Sequence, residues 1–268
     1  MSQKGPSLVY QKKEETMKSP FVHVTRIELA GIPALKITPK KISGPLPSLI
    51  YYHGWSSSKD NQVFRLSVFA AYGFQVFAPD AQHHGERGAI DYDATGSMEK
   101  YFWDVISQNG QESPSLIQEI GKHNADPARI GVMGHSMGGF TAAGVFATNP
   151  QLQAMVCFNG SCAWLSMEDY FRKKFGLDPA PAEHLQRLAQ YDLLSNKDRL
   201  QQRPVLMLNG GSDTTVPVDS QRWFYQQVAP DYQDCPQRLV LQEFPEVGHF
   251  IEVGMLERAV TWFQKYLS

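Results

Sequence analysis

The segment GVMGHSMGG sets Ser136 between Gly134 and Gly138, with a short apolar run before it and the small-residue stretch FTAAGVFATNP after it. A bare Gly-x-Ser-x-Gly is common by chance. With a strand before and a helix after, it describes a serine on a sharp corner, where glycines two residues either side let strand and helix approach. The hydroxyl then projects at the carboxyl end of a sheet, where open α/β sheets bind ligands. A serine hydroxyl is a weak nucleophile until a base takes its proton, and the base needs a carboxylate to orient it. The chemistry would be acyl transfer through a covalent intermediate. A serine on such a corner is followed along the chain by its acid and then its histidine. Of eight histidines, only His249, in FPEVGHFIE, lies beyond the loop LMLNGGSDTTVP. Asp213 sits in that loop, just past an apolar run.

Other acids and bases fit less well. Asp219 falls in the first turn of the next helix, where capping is its ordinary role. Glu243 belongs to the last strand and Glu246 to the turn after it. Either could serve only if that loop folded unusually. His184 precedes the acid and reads as a surface or rim residue, and His135 as a ring packed beneath the corner. A developing oxyanion requires donors already in place. One is expected from the backbone N–H of Met137. The second should come from the loop after SLIYYHG, where the Trp55 N–H is the candidate. Trp55, His135, Trp164, Tyr170 and Phe171 are the candidates for the substrate pocket, each with a packing role as the competing reading.

These groups must be positioned by a sheet. FVHVTRIEL and IPALKIT flank an Ala30-Gly31 turn and read as edge strands. SLIYYHG, GFQVFAPD, RIGVMG, LQAMVCFNG and RPVLMLNGG are short continuous apolar runs, as expected of parallel strands buried on both faces. QRLVLQEF is the last strand. Helical patterns fall at about 62–72, at about 98–109 and 113–123 before a turn at Ala125-Asp126-Pro127, and at the end of the chain. In the last, Val253, Leu256, Val260, Phe263 and Leu267 form one apolar stripe. Strands alternating with helices predict a mostly parallel sheet of about eight strands, covered on both faces. Residues 161–200 break the alternation with helical character and no strand. They are longer than a crossover needs and read as a helical cap inserted into a single domain over 1–268.

The chain has 268 residues, 42% hydrophobic and 19% charged, with a formal net charge of −2. This balance carries no footprint for nucleic acid or an anionic membrane. The polar opening MSQKGPSLVYQKKEETMKSP lacks the apolar core of a secretory signal, and no window approaches a membrane span. Cys157, Cys162 and Cys235 are too few and scattered for a disulfide framework or zinc site, so a reduced, cytoplasmic protein is expected. His83-His84 with Glu86 reads as a turn stabilised by Glu86 and Arg87, because adjacent histidines cannot easily chelate one ion. No metal and no cofactor are expected.

The HGW loop, APDAQHHGERG, DPARIGVMGHSMGG, NGGSDTTVP and VGH together resemble the α/β-hydrolase superfamily. The likeness is nearest to small bacterial serine esterases related to dienelactone hydrolase, and to prolyl-oligopeptidase catalytic domains. It runs from about residue 45 to the end, in the family's order. The resemblance implies a Ser136–Asp213–His249 triad, an oxyanion hole from Trp55 and Met137, and hydrolysis of small or medium acyl esters without cofactor. Where dienelactone hydrolases carry cysteine, this chain carries Ser136. A peptidase or acyltransferase would share the same acyl-enzyme. The rival from another class is a ligand-binding member of the fold that has lost its chemistry, and such proteins often lack one of the three groups.

Overall fold

The computed structural model describes residues 19–41 and 44–267. Most of the polar opening and part of the KKISGPLP loop lie outside the described residues. Eight strands form one sheet: β1 (Val22–Leu29), β2 (Ile32–Pro39), β3 (Leu46–Tyr52), β4 (Gln75–Pro79), β5 (Ala125–His135), β6 (Ala154–Phe158), β7 (Val205–Gly210) and β8 (Leu239–Phe244). Their spatial order is β1-β2-β4-β3-β5-β6-β7-β8. β1 and β2 are an antiparallel hairpin turned by Ala30 and Gly31, both at positive φ, as the twist of a two-residue hairpin requires. β2 meets β4 antiparallel, and every pairing from β4 to β8 is parallel.

Both faces of the sheet are covered, which explains the continuous apolar runs. Along β5, Val132 points into a cluster with Leu116, Ile120, Ala142, Phe146 and Phe224. These come from α2 (Ser97–Ile120), α3 (Met137–Thr148) and α6 (Asp219–Val228). The next residue, Met133, points into the opposite cluster with Leu66, Phe69, Phe263 and Leu267. That face is covered by α1 (Val63–Ala71) and α7 (Val253–Leu267). Between β6 and β7 lie α4 (Trp164–Phe175) and α5 (Ala182–Ala189), with no strand. Among the described residues, no helix is long and apolar enough to cross a membrane.

Three local expectations give way. The stretches 98–109 and 113–123 are one helix, α2, with Pro114 inside it. Proline has no N–H for the Gly110 carbonyl, and the Ser113 hydroxyl donates to that oxygen instead, at 2.7 Å. The turn at Ala125-Asp126-Pro127 exists, but it is an irregularity inside β5: the Ala128 N–H donates to Asp126 Oδ1 while the register with β3 slips. In α7 the buried stripe is Met255, Ala259, Val260, Trp262, Phe263 and Leu267, with Val253 left exposed at the first turn.

Strand and helix approach very closely at the corner between β5 and α3. A Cβ on Gly138 would collide with the Tyr52 carbonyl of β3, and one on Gly134 with the Gly138 carbonyl. Because both obstacles are backbone, Gly138→Ala is expected to cost several kcal/mol, about 3 or more. Its thermal unfolding midpoint should fall by more than ~5 °C, and an unchanged midpoint would show that the corner can relax.

Candidate active site

Ser136 is the residue at which strand becomes helix. Its backbone sits at φ 57° and ψ −123°, a strained conformation for a side chain with a Cβ. Its own N–H donates to the Phe158 carbonyl of β6 at 2.9 Å, which fixes the corner to the sheet. The Oγ lies 2.8 Å from His249 Nε2, and His249 Nδ1 lies 2.7 Å from Asp213 Oδ2. With Asp213 ionised, Nδ1 carries the proton and donates to the carboxylate, leaving Nε2 to accept from the serine hydroxyl. The other Asp213 oxygen accepts the N–H groups of Thr215 and Val216, at 2.9 and 3.0 Å. The carboxylate is thus buried yet fully bonded.

These side chains come from loops at the carboxyl ends of β5, β7 and β8. The loops are tied to one another. The N–H groups of Gly211 and Ser212 donate to the carbonyls of Phe244 and Val247, and the Ser212 hydroxyl donates to the Pro245 carbonyl. Asn159, at the end of β6 with φ 45°, joins a third segment. Its side-chain oxygen accepts the Gly210 N–H at 2.8 Å, and its amide donates to the Phe250 carbonyl at 2.9 Å. Sequence reasoning missed Asn159. Its signal is an asparagine followed by glycine at the end of an apolar run, the local chemistry of a left-handed residue.

The loop after β3 lies against the corner. A Cβ on Gly54 would be 3.4 Å from both the His135 carbonyl oxygen and Ser136 Cβ. Among the described residues, neither the Trp55 N–H nor the Met137 N–H donates to an internal acceptor. The loop is pinned by a buried charge network that was also missed. Asp80 accepts the Lys59 N–H at 2.9 Å, Lys59 Nζ at 2.6 Å and the Glu86 N–H at 2.9 Å. Burial opposes ionisation of both partners, but these hydrogen bonds win: Lys59 is raised and Asp80 lowered from their ordinary values. His53 accepts the Ala81 N–H at Nε2, so its proton is on Nδ1, which donates to the Gly54 carbonyl. In the HHGERG turn, Arg87 forms a bidentate pair with Glu112 and Glu86 meets Lys59 and Arg26.

A cleft beside Ser136 is lined by Gly54, Trp55, Arg65, His135 and His249 among others. Trp55 and His135 therefore reach it. Trp164 does not: it is fully buried, its indole N–H donating to the Phe140 carbonyl and its ring stacked on Tyr191. Phe171 lines a separate cavity with Phe102, Trp103 and Glu168, and half-buried Tyr170 lies beneath the Lys174 ammonium. Of the alternative acids, Asp219 and Glu243 lie on Arg222, and the alternative base His184 meets Glu168. Among the described residues, no three His, Cys, Asp or Glu side chains are grouped to hold a metal ion.

The eight-stranded sheet, with this corner and these loops at its carboxyl edge, is an α/β-hydrolase fold. The chain belongs to the prolyl oligopeptidase family, whose sequence profile matches residues 114–268. It is 29% identical over 257 residues to the YitV protein of Bacillus subtilis (strain 168), covering 92% of this chain and 100% of that one. Esterase YjfP of Escherichia coli (strain K12) is 29% identical over 254 residues, again 92% of this chain and 100% of the relative. Among solved structures, TT1662 from Thermus thermophilus superposes with a TM-score of 0.76 at 23% identity, over 92% of this chain and 98% of that one.

Burial holds His135 neutral in the fold, pulled down to about 3, with the nearby His249 and Arg65 adding to the effect. Burial likewise pulls His53 to about 4. In the unfolded chain both take a proton near pH 6.5. Stability from these rings is complete above that value and is lost as pH falls toward the folded values, because only the unfolded state gains protons. The melting temperature should therefore drop between about pH 6.5 and 5.5, above most of the range where carboxylates titrate. His135→Gln should flatten that slope, and an identical slope in the variant would refute the assignment.

Proposed function

We propose that the protein is a serine hydrolase that cleaves carboxylic esters of small or medium acyl groups, with Ser136, His249 and Asp213 as the catalytic triad. The observation that carries this reading is the unbroken hydrogen-bond chain from Asp213 through His249 to Ser136 Oγ, at 2.7 and 2.8 Å. A full-length relative named an esterase adds support. Ser136 Oγ attacks the ester carbonyl as its proton passes to His249 Nε2, and Asp213 stabilises the imidazolium. The oxyanion of the tetrahedral intermediate accepts from the Met137 and Trp55 N–H groups, neither of which is committed to an acceptor among the described residues. His249 then gives its proton to the leaving alcohol. Water, deprotonated by the same ring, attacks the acyl-enzyme and restores Ser136.

The chain acts in this reading as one domain, with residues 161–200 as a helical cap over one side of the cleft. The substrate is a small-molecule ester, and the compartment is the cytoplasm, supported by three buried, unpaired cysteines. Membership of a family named for an oligopeptidase favours a second reading, cleavage of peptide amides by the same groups.

A chain-length series of acyl esters assayed beside a peptide amide separates the two. The expected result is a kcat/KM for acetyl to hexanoyl esters well above that for the amide, and preferred amide cleavage would reverse the assignment. In the same assay, Ser136→Ala should lower kcat by about 10⁴-fold or more and Asp213→Asn by about 10³–10⁴-fold. Ester turnover that survives Ser136→Ala would dismiss Ser136 as nucleophile.

A further inference from the structure

Arg65 lines the cleft that exposes Ser136 and His249, and no acidic side chain lines it among the described residues. The arginine is half-buried on the first turn of α1. One of its five N–H groups donates to the Tyr51 hydroxyl, at 3.3 Å, and it makes no ion pair among the described residues. Several other arginines of this chain are committed within the fold. Arg26, Arg87, Arg172 and Arg222 each lie on a carboxylate. Arg203 is spent on backbone carbonyls, including those of Asn149, Leu152 and Phe146.

A second group in the same cleft points the same way. His135 Nε2 is buried with no hydrogen-bond partner, and its ring packs against His249 with centroids 5.1 Å apart. A buried imidazole nitrogen without a partner is costly, and a ligand in the cleft could complete it together with the guanidinium N–H groups left free of internal acceptors. Burial chiefly keeps His135 from protonating, and the Arg65 charge adds to that effect while Asp213 opposes it. The apolar side chain in the lining is Trp55, which packs against the buried cluster of Met137, Phe140, Phe102 and Val216. Arg65 and Trp55 thus share the cleft with the nucleophile.

We infer that the ester this site is built for carries a carboxylate, which Arg65 binds in the cleft on the α1 side. The inference rests on the serine-hydrolase reading above and specifies its substrate class. A planar carboxylate matches the guanidinium fork, and a charge-assisted pair in a partly desolvated cleft is stronger than a neutral hydrogen bond. Arg65 is then a specificity-determining residue, and Ser136 chemistry itself does not require it.

Two matched pairs of esters test this. Mono-4-nitrophenyl glutarate against 4-nitrophenyl pentanoate places the charge on the acyl side. 4-Acetoxybenzoate against its methyl ester places it on the alcohol side. In at least one pair the anionic member should have the higher kcat/KM, by about tenfold or more. That ratio should fall to near one in Arg65→Gln, persist in Arg65→Lys, and shrink at about 0.5 M salt. Turnover of neutral esters with no anionic preference in either pair, or a preference untouched by Arg65→Gln, would overturn the inference and leave the esterase reading standing. Absence of turnover for every ester would instead defeat the esterase reading. The inference is then decided by calorimetric titration of 4-acetoxybenzoate. Binding to Ser136→Ala about tenfold tighter than to Arg65→Gln/Ser136→Ala supports it, and equal binding refutes it.

Discussion

The site depends on one strained residue held between three pieces of backbone. Ser136 has a φ that only glycine adopts freely, and nothing in its own chemistry favours it. The conformation persists because β3, β5 and α3 converge so closely that Gly134 and Gly138 have no room for a Cβ. The corner is over-determined by its surroundings, which is the condition under which strain can be kept. Its effect is to aim Oγ away from the sheet and toward a loop 113 residues further along the chain.

Two further devices hold the partners to that corner. On one side Asn159 and the Ser212–Pro245 contact join the ends of β6, β7 and β8, so that Asp213 and His249 share one rigid edge. On the other, the Lys59–Asp80 pair closes the loop that starts at His53 and lays Gly54 against the corner. A buried ion pair is weak evidence for stability, because desolvation offsets its attraction. Here Asp80 holds the loop after β3 through Lys59 and its own loop through Glu86, so the pair acts as a register pin whose removal would leave a bare charge inside the fold.

Much of this was legible in the sequence because it is written in short-range chemistry. The doubly buried strands read directly as continuous apolar runs, the corner as glycines around Ser136, and the order of Asp213 and His249 followed from the architecture. What stayed hidden depends on partners distant in sequence. Pro114 reads as a helix break unless the Ser113 hydroxyl is known to take over the Gly110 carbonyl. Trp164 reads as a pocket aromatic until Gly144 is seen to leave its indole space beneath α3. Lys59 and Asp80 look like ordinary surface charges, since the 21-residue separation gives no hint that they meet in the interior.

The most direct measurement of the central claim is covalent trapping of the serine with a fluorophosphonate, followed by intact-mass and peptide mapping. The account predicts one adduct per chain, carried by the peptide that contains Ser136. Labelling and loss of esterase activity should proceed at the same rate, and His249→Gln should abolish both. An adduct on another residue, or full activity in protein fully labelled at Ser136, would contradict it.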